Sequence, residues 1–189
     1  MGVYLWNNVY EYSYDFRNKS STILTNDGWT TVKGTPSFSG YGVRWVDTRL
    51  TRDLPSLTNA KKIIFYCSGT VVDGNIACRV ANSVTSSSSV WVSGVSLEVG
   101  NNQRQVRIYD TNTNYSGLST WTYTSSLVFD LANKTFTLTT SWLTTQTWTI
   151  TDTQISNIRA NTKKIYIFVD SQGSNTSWGL ATMWITIEE

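Results

Sequence analysis

The sequence predicts an all-β fold, an antiparallel β-sandwich of the jelly-roll type, on three observations. Apolar and polar residues alternate along several segments, a period that is typical of half-buried strands. Helical periodicity is almost absent, and clusters of Asn, Asp and Gly separate the alternating segments at fairly regular intervals. Only 15% of the residues are charged while 13% are aromatic, and both aromatic residues and β-branched Thr suit a pleated sheet.

Alternation is clearest in residues 134–142 and 182–187. In the first segment the apolar positions, which we expect in the core, are Phe136, Leu138 and Trp142. In the second segment they are Met183, Ile185 and Ile187. The intervening positions are mostly Thr, so one face of each strand is expected to meet water or a partner. Residues 63–67, 127–129 and 165–169 are instead continuously apolar, which favours strands covered on both faces or central strands of a sandwich.

Turn signals divide the chain into roughly ten to twelve predicted strands. These signals lie at residues 26–28, 73–75, 100–102, 112–117, 132–134 and 171–175. Asn, Asp and Gly tolerate left-handed backbone conformations and therefore close hairpins at little cost. A short helical turn is predicted at residues 54–59 or 152–160, because Asp53 or Asp152 is placed to cap it.

The length of 189 residues suits one domain, and we expect residues 1–189 to form a single β-sandwich. Two cysteines, Cys67 and Cys78, flank a polar loop, and in a hairpin their thiols would face each other. Disulfides persist mainly in oxidising compartments, and residues 1–10 lack the basic and apolar regions of an export signal. The sequence therefore favours two reduced, buried thiols.

Charges are few and scattered, and the net charge is +2. The adjacent basic pairs, 61–62 and 163–164, each precede an apolar run. We interpret them as solvated starts of two strands in equivalent positions of opposing sheets; a duplicated half is the alternative, although the intervening residues do not match. Nucleic-acid binding needs clustered Lys and Arg, so no nucleic-acid partner is expected.

No run approaches the roughly 18 apolar residues of a membrane helix, so no membrane insertion is expected.

The sequence contains no histidine, which removes the Ser-His-Asp and Cys-His catalytic sets and the commonest metal ligand. Two cysteines without histidine do not make a normal zinc site. The glycine-rich phosphate and dinucleotide loops and the acidic calcium loop are also absent from the sequence. We therefore expect no catalytic residue, no metal and no cofactor.

Paired carboxylates are the one remaining route to catalysis, because glycoside hydrolases use two of them. Glu188 and Glu189 end the sequence, and Glu98 alternates with apolar neighbours and is expected in solvent. Asp130 follows an apolar run directly before a turn signal, which favours a role in the turn. Glycoside hydrolysis is therefore the least favoured alternative.

Aromatic residues are the richest feature, with nine Trp, ten Tyr and six Phe. Trp in a sandwich belongs mostly to the core, but nine exceed what a core of this size easily buries. Sugar-binding surfaces use exposed Trp and Tyr as flat platforms and Asn to read hydroxyls. The candidates beside polar loops are Tyr115, Trp121, Trp178, Asn112, Asn114 and Asn175. The alternative for each aromatic candidate is a loop-anchoring position in the core.

Two segments carry a resemblance to a known family. Residues 27–43, with their Asp-Gly-Trp and Gly-x-Gly-Val patterns, resemble the opening of concanavalin A-like and laminin-G-like jelly rolls. Residues 127–135 are similar to a central strand–turn–strand of that kind. The resemblance implies a concanavalin A-like sandwich. The acidic-plus-asparagine metal loop that many legume-type lectins carry is absent from the sequence.

In composition the chain also resembles small bacteriophage virion proteins, such as capsid decoration, head-fibre and tail-fibre domains. This resemblance implies a non-enzymatic structural protein of the virion, made in the host cytoplasm without a signal peptide. Such a protein would dock on a capsid or tail protein and present loops to a host glycan. Association with copies of itself is expected, because sandwich edges need cover. The alternative is a carbohydrate-binding, lectin-like module.

Overall fold

A computed structural model describes residues 8–44, 48–70, 75–81, 94–100, 103–108, 111–116, 122–141, 144–161, 164–170 and 179–189. Two helices lie in these ranges, α1 (Ser21–Asn26) and α2 (Asp152–Asn161). The strands there are β1 (Val9–Asp15), β2 (Thr30–Lys33), β3 (Ser37–Ser39), β4 (Gly42–Arg44), β5 (Thr48–Asp53), β6 (Lys62–Thr70), β7 (Asn75–Ala81), β8 (Gly94–Gly100), β9 (Gln103–Ile108), β10 (Thr111–Ser116), β11 (Thr122–Asp130), β12 (Thr135–Thr140), β13 (Gln146–Thr149), β14 (Lys164–Asp170) and β15 (Gly179–Glu188).

The strands form two antiparallel sheets. The first sheet has the order β13-β12-β11-β6-β15-β4-β3, and β1 also pairs with β15. The second sheet has the order β10-β9-β8-β7-β14-β5-β2. The predicted antiparallel sandwich is confirmed. Fifteen strands occur in the described ranges, more than predicted from the turn signals, because strands of three or four residues such as β3 and β4 are too short to show alternation.

The core lies between the sheets and draws buried side chains from both. Ile63 and Phe65 of β6 belong to the same buried cluster as Leu50 of β5 and Ile167 of β14. The predicted core positions Phe136, Leu138, Met183, Ile185 and Ile187 are all buried, whereas Trp142 lies outside the described residues. Each such side chain contributes roughly 1.5–3 kcal/mol when removed from water, so burial between the sheets is the main stabilising interaction.

The two Lys pairs mark strand starts in opposite sheets, as predicted. Lys62 is the first residue of β6, which lies between β11 and β15 in the first sheet. Lys164 is the first residue of β14, which lies between β7 and β5 in the second sheet. Both strands are therefore central, which explains their apolar runs.

The strands that carry the two cysteines do not form a hairpin. Cys67 lies in β6 of the first sheet and Cys78 in β7 of the second, because the chain crosses the sandwich between these strands. Cys67 is a buried free thiol, which agrees with the expected reduced state. The side chain of Cys78 is not among those described.

One of the two predicted helical turns forms. Helix α2 occupies the 152–160 segment, whereas residues 54–59 are not helical. The cap is Thr151 rather than Asp152: its Oγ1 accepts from the Gln154 amide at 3.2 Å, and Gln154 Oε1 accepts from the Thr151 amide at 2.9 Å. This reciprocal pair is a capping box. Helix α1 was not predicted, because its six residues are too few to show a periodic pattern.

None of the helices in the described ranges has the length and apolar composition needed to cross a membrane.

Asp130 holds the turn between β11 and β12, as its position in the sequence predicted. Its Oδ1 accepts from the backbone amide of Asn133 and its Oδ2 from the Asn133 side-chain amide, both at 2.9 Å. Lys134 takes a positive φ of 56° to complete the reversal. The two Asn133 donors favour the charged carboxylate and lower the pKa of Asp130.

Gly42 is required where the β3–β4 hairpin meets β15. Its φ is +110°, and a Cβ there would overlap the carbonyl oxygen of Leu180 and lie 2.7 Å from the Cα of Ala181. Gly40, in the same hairpin, has nothing within 4 Å of the position that a Cβ would take. Backbone atoms cannot retreat from Gly42 without breaking the Leu180–Val43 pairing of β15 with β4.

The substitution Gly42→Ala is expected to lower the free energy of unfolding by about 3 kcal/mol or more, because it adds both backbone strain and a clash with main-chain atoms. Gly40→Ala is the matched control and is expected to change it by less than about 1 kcal/mol. Chemical denaturation monitored by tryptophan fluorescence measures both. Equal effects of the two substitutions would contradict the close approach of β4 to β15.

The turn at Asp130 is expected to contribute stability only above acidic pH. A carboxyl whose folded-state pKa is lowered stabilises the fold above its unfolded-state pKa, and this contribution is lost as the pH falls through the folded-state value. Asp130→Asn should therefore lower the free energy of unfolding at neutral pH by at most about 1 kcal/mol, since solvent screens the charge. Urea unfolding measured at neutral and at strongly acidic pH checks this: a difference that persists in acid would contradict it.

Candidate functional site

Strand β15 presents opposite chemistry on its two faces. Its core face carries Met183, Ile185 and Ile187, and the intervening positions are Thr182, Trp184 and Thr186. Trp184 is 45% exposed, although it lies in the middle of a sheet. We call the side of the first sheet that faces away from the core the outer face.

A β-bulge sets which side chains of β15 reach the outer face. The register with β6 shifts between Leu180, opposite Gly69, and Thr182, opposite Ser68. Leu180 and Met183 are both buried, which a strict period of two would not allow. The extra residue in the bulge resolves this conflict and turns Trp184 outward.

Trp184 has an aromatic neighbour and a hydroxyl neighbour on the adjacent strands. It lies directly opposite Tyr66 of β6 and, on its other side, opposite Ser13 of β1. Directly opposed residues on one face have Cβ atoms about 5 Å apart. Trp184 and half-buried Tyr66 are therefore neighbours on the outer face, and we call this pair the aromatic surface.

An open pocket of about 270 Å³ adjoins this aromatic surface. Its lining residues come from β1, β6 and β15, and they are Ser13, Tyr14, Asp15, Tyr66, Thr182, Met183 and Trp184. The pocket therefore combines aromatic side chains with short hydroxyl groups and one carboxylate.

Asp15 is held in place by Arg17. The guanidinium donates from Nε at 2.9 Å and from Nη2 at 2.6 Å, and the Arg17 amide donates to the same carboxylate at 2.9 Å. These hydrogen bonds lower the pKa of Asp15, so the group stays charged below the usual carboxyl range. Asp15 is therefore a fixed hydrogen-bond acceptor in the pocket.

Thr182 is likewise fixed by a neighbour. Its hydroxyl lies 2.7 Å from that of Ser68, and one of the two oxygens donates to the other. Each hydroxyl has one donor and two acceptor sites, so this pair keeps capacity for a ligand.

An aromatic cluster packs against the core side of strand β1. Tyr14 packs edge-on against Phe16 with centroids 4.8 Å apart, and Phe16 packs against buried Trp29 at 5.3 Å. Trp29 Nε1 donates to the hydroxyl of Tyr12 at 3.1 Å. Burial and the hydrogen bond that Tyr14 donates to Asp27 at 2.6 Å raise the pKa of Tyr14. Ser13 and Asp15 alternate along β1 with Tyr12 and Tyr14, so the packing of the two tyrosines fixes the positions of Ser13 and Asp15.

The lining of the pocket lacks the carboxylate pair that most glycoside hydrolases use. Asp15 is the one carboxylate among its lining residues, whereas most glycoside hydrolases need two facing carboxyl groups. Groups of three or more Cys, Asp or Glu able to hold a metal do not occur in the described ranges.

Three of the six predicted site residues lie in the second sheet, away from this face. Asn112, Asn114 and Tyr115 were predicted in a loop, but they lie in β10, where they pair with β9. The prediction of a turn there is wrong, because Thr and Tyr alternate with the asparagines and β9 supplies the backbone partners. Trp121, Asn175 and Trp178 lie outside the described residues. The signal for Trp184 was present in the sequence, since it occupies the polar phase of an alternating strand.

Comparison with solved structures supports the jelly-roll fold. The winged bean acidic lectin, in complex with methyl-α-D-galactose, has a TM-score of 0.61 at 9% identity, covering 96% of this chain and 99% of that one. The peanut lectin, with a nonapeptide, has a TM-score of 0.61 at 10% identity, covering 95% and 97%. The fold is that of the concanavalin A-like jelly rolls. The resemblance seen in residues 27–43 and 127–135 is thereby confirmed at the level of fold.

A phage protein has the same fold. The CBM2 module of the evolved Dit of Lactobacillus casei BL23 phage J-1 has a TM-score of 0.56 at 11% identity, covering 96% of this chain and 97% of that one. A transglycosylase and a sialidase are also among the similar structures. No protein-family model and no curated protein matches the sequence. At these identities the similarity establishes the fold alone, so function has to be inferred from the candidate site.

Proposed function

We propose that the protein is a non-catalytic, glycan-binding β-sandwich that uses the outer face of its first sheet. The observation that carries this proposal is Trp184, which is 45% exposed beside Tyr66 and opens into a pocket with a fixed carboxylate. A sugar ring has an apolar face and a rim of hydroxyl groups. The aromatic surface can stack against the apolar face of the ring. Asp15, Ser13 and Thr182 can form hydrogen bonds with its hydroxyl groups.

The similar structures support the same class of function. The winged bean lectin with this fold was solved with methyl-α-D-galactose, a neutral sugar. Carbohydrate binding by a sandwich of this kind is therefore compatible with the fold. The exposed aromatic pair is what favours it for this chain.

Binding is favoured over catalysis by the state of Asp15. A catalytic acid needs a pKa raised towards the working pH, whereas Arg17 lowers the pKa of Asp15. Glycosyl transfer, the reaction of the similar transglycosylase, would also require a second carboxylate near the first. Asp15 has no such partner among the residues that line the pocket.

The substitution Trp184→Ala is expected to weaken glycan binding at least about tenfold, or roughly 1.4 kcal/mol, because it removes the stacking surface. Its free energy of unfolding should change by less than about 1 kcal/mol, since the side chain is largely exposed. Tyr41→Ala is the matched control, because Tyr41 is 48% exposed and is not among the residues that line the pocket. A glycan array followed by calorimetry with the best ligand measures all three proteins.

Two outcomes would contradict the proposal. One is a wild-type protein that binds no glycan on an array of neutral and charged oligosaccharides. The other is a Trp184→Ala protein that binds as tightly as the wild type, or a Tyr41→Ala protein that loses as much affinity as Trp184→Ala.

A role on the virion is the second proposal, and it concerns where the glycan-binding face is used. The phage Dit module with this fold and the phage-like composition of the sequence support it. In this proposal the protein docks on a capsid or tail protein, or on copies of itself, and leaves the outer face free for a host glycan. Mass spectrometry of purified particles should detect the chain at a fixed ratio to the shell or tail protein. Its absence from washed particles would exclude the role.

A further inference from the structure

We propose that the ligand is an extended, neutral polysaccharide that lies across the strands of the first sheet. This inference rests on the proposed glycan-binding function of the same face. Its basis is a row of six outer-face residues that starts at the pocket and continues to the far edge of the sheet. We call this row the lane, and it comprises Ser13, Trp184, Tyr66, Ser126, Thr139 and Thr145.

The strand register places these residues side by side. Ser13 lies opposite Trp184, and Trp184 opposite Tyr66. Tyr66 lies opposite Ser126 of β11, and Ser126 opposite Thr139 of β12. The hydroxyl of Thr139 lies 3.2 Å from that of Thr145, just before β13. The lane therefore crosses six neighbouring chain segments at right angles to the strands.

The length of the lane sets the size of the ligand. Neighbouring strands lie about 4.8 Å apart, so the lane is about 24 Å long. One sugar ring in an extended chain advances by a distance close to this strand spacing. The lane therefore has room for about five sugars in a row, with the first rings on Trp184 and Tyr66 and the later ones on Ser and Thr hydroxyls.

The absence of charged side chains from the lane favours a neutral polymer as the ligand. No residue of the lane is an acid or a base. The charged groups of this face lie outside the lane. Glu11 is exposed in the row on one side, and Asp15 in the row on the other side binds Arg17. Lys62 lies 3.3 Å from Glu188, two rows away. A sulfated or uronic acid polymer would therefore find no row of cations along the lane, whereas hydroxyl groups find matching donors and acceptors.

Hydrogen bonds between hydroxyl groups fix the flanking side chains before a ligand arrives. Thr137 lies 3.0 Å from Thr147 through their hydroxyl oxygens, in the row beside the lane. Thr182 and Ser68 form the equivalent pair at 2.7 Å in the row on the other side. Side chains that are already ordered lose less conformational entropy on binding. Ordered hydroxyl pairs on both sides of the lane suit a regular chain rather than a single sugar.

Calorimetry with linear neutral oligosaccharides tests the inference. The probes are the cello-, manno- and chito-oligosaccharides from disaccharide to hexasaccharide, with alginate oligosaccharides as charged counterparts. For at least one neutral series the affinity should rise with each sugar up to about the pentasaccharide and then level off. The charged series should bind at least about tenfold more weakly at equal length.

Variants separate the lane from the pocket. The double variant Ser126→Ala, Thr139→Val should lose about tenfold in affinity for the pentasaccharide and leave the disaccharide unchanged, whereas Trp184→Ala should weaken every length. Thr31→Val, an exposed Thr on β2 of the second sheet, is the matched control and should change neither affinity.

The measurements distinguish failure of the lane from failure of the glycan-binding function. If Trp184→Ala abolishes binding but affinity stops rising at the disaccharide, or the double variant binds the pentasaccharide normally, the lane is refuted and the glycan-binding function stands. If branched or charged glycans bind better than every neutral linear series, or no linear series binds at all, the lane is refuted as well. If Trp184→Ala does not change the affinity for an oligosaccharide of any length, both the lane and the proposed glycan-binding function are refuted.

Discussion

The pairing of β15 with β6 is the interaction on which both the core and the candidate site depend. β15 pairs with β6 on one side and with β1 on the other, so a single strand holds three parts of the first sheet together. Its bulge allows Leu180 and Met183 to be buried on the same face. A slip of one residue in this register would exchange the two faces, burying Trp184 and exposing the core residues. The core therefore dictates the position of the exposed aromatic residue.

The core and the candidate binding site occupy opposite faces of the same strands. On β1, Tyr12 and Tyr14 pack inward around buried Trp29, while Ser13 and Asp15 point to the pocket. On β12, Phe136 and Leu138 are buried, and Thr137 and Thr139 lie on the outer face. A rigid sheet thus holds the outer residues in fixed positions, and this order favours binding of a regular ligand.

Alternation in the sequence predicted the fold class and much of the core, because burial on one face imposes a period of two on a strand. Asp130 was recognised as a turn residue for a similarly local reason. The bulge at residues 180–182 and the row that joins Ser13 to Thr145 were beyond prediction, since both follow from pairing between segments far apart in the chain. Strand β10 was missed because Asn usually marks turns, although its Thr and Tyr neighbours favour a strand.

The most direct measurement is a crystal structure of the protein with the tightest linear oligosaccharide. The account predicts a sugar ring parallel to the indole of Trp184, contacts from Asp15 and Tyr66, and a chain that runs over Ser126 towards Thr139. A ligand bound to the second sheet, or to the segments between strands with Trp184 left free, would contradict it.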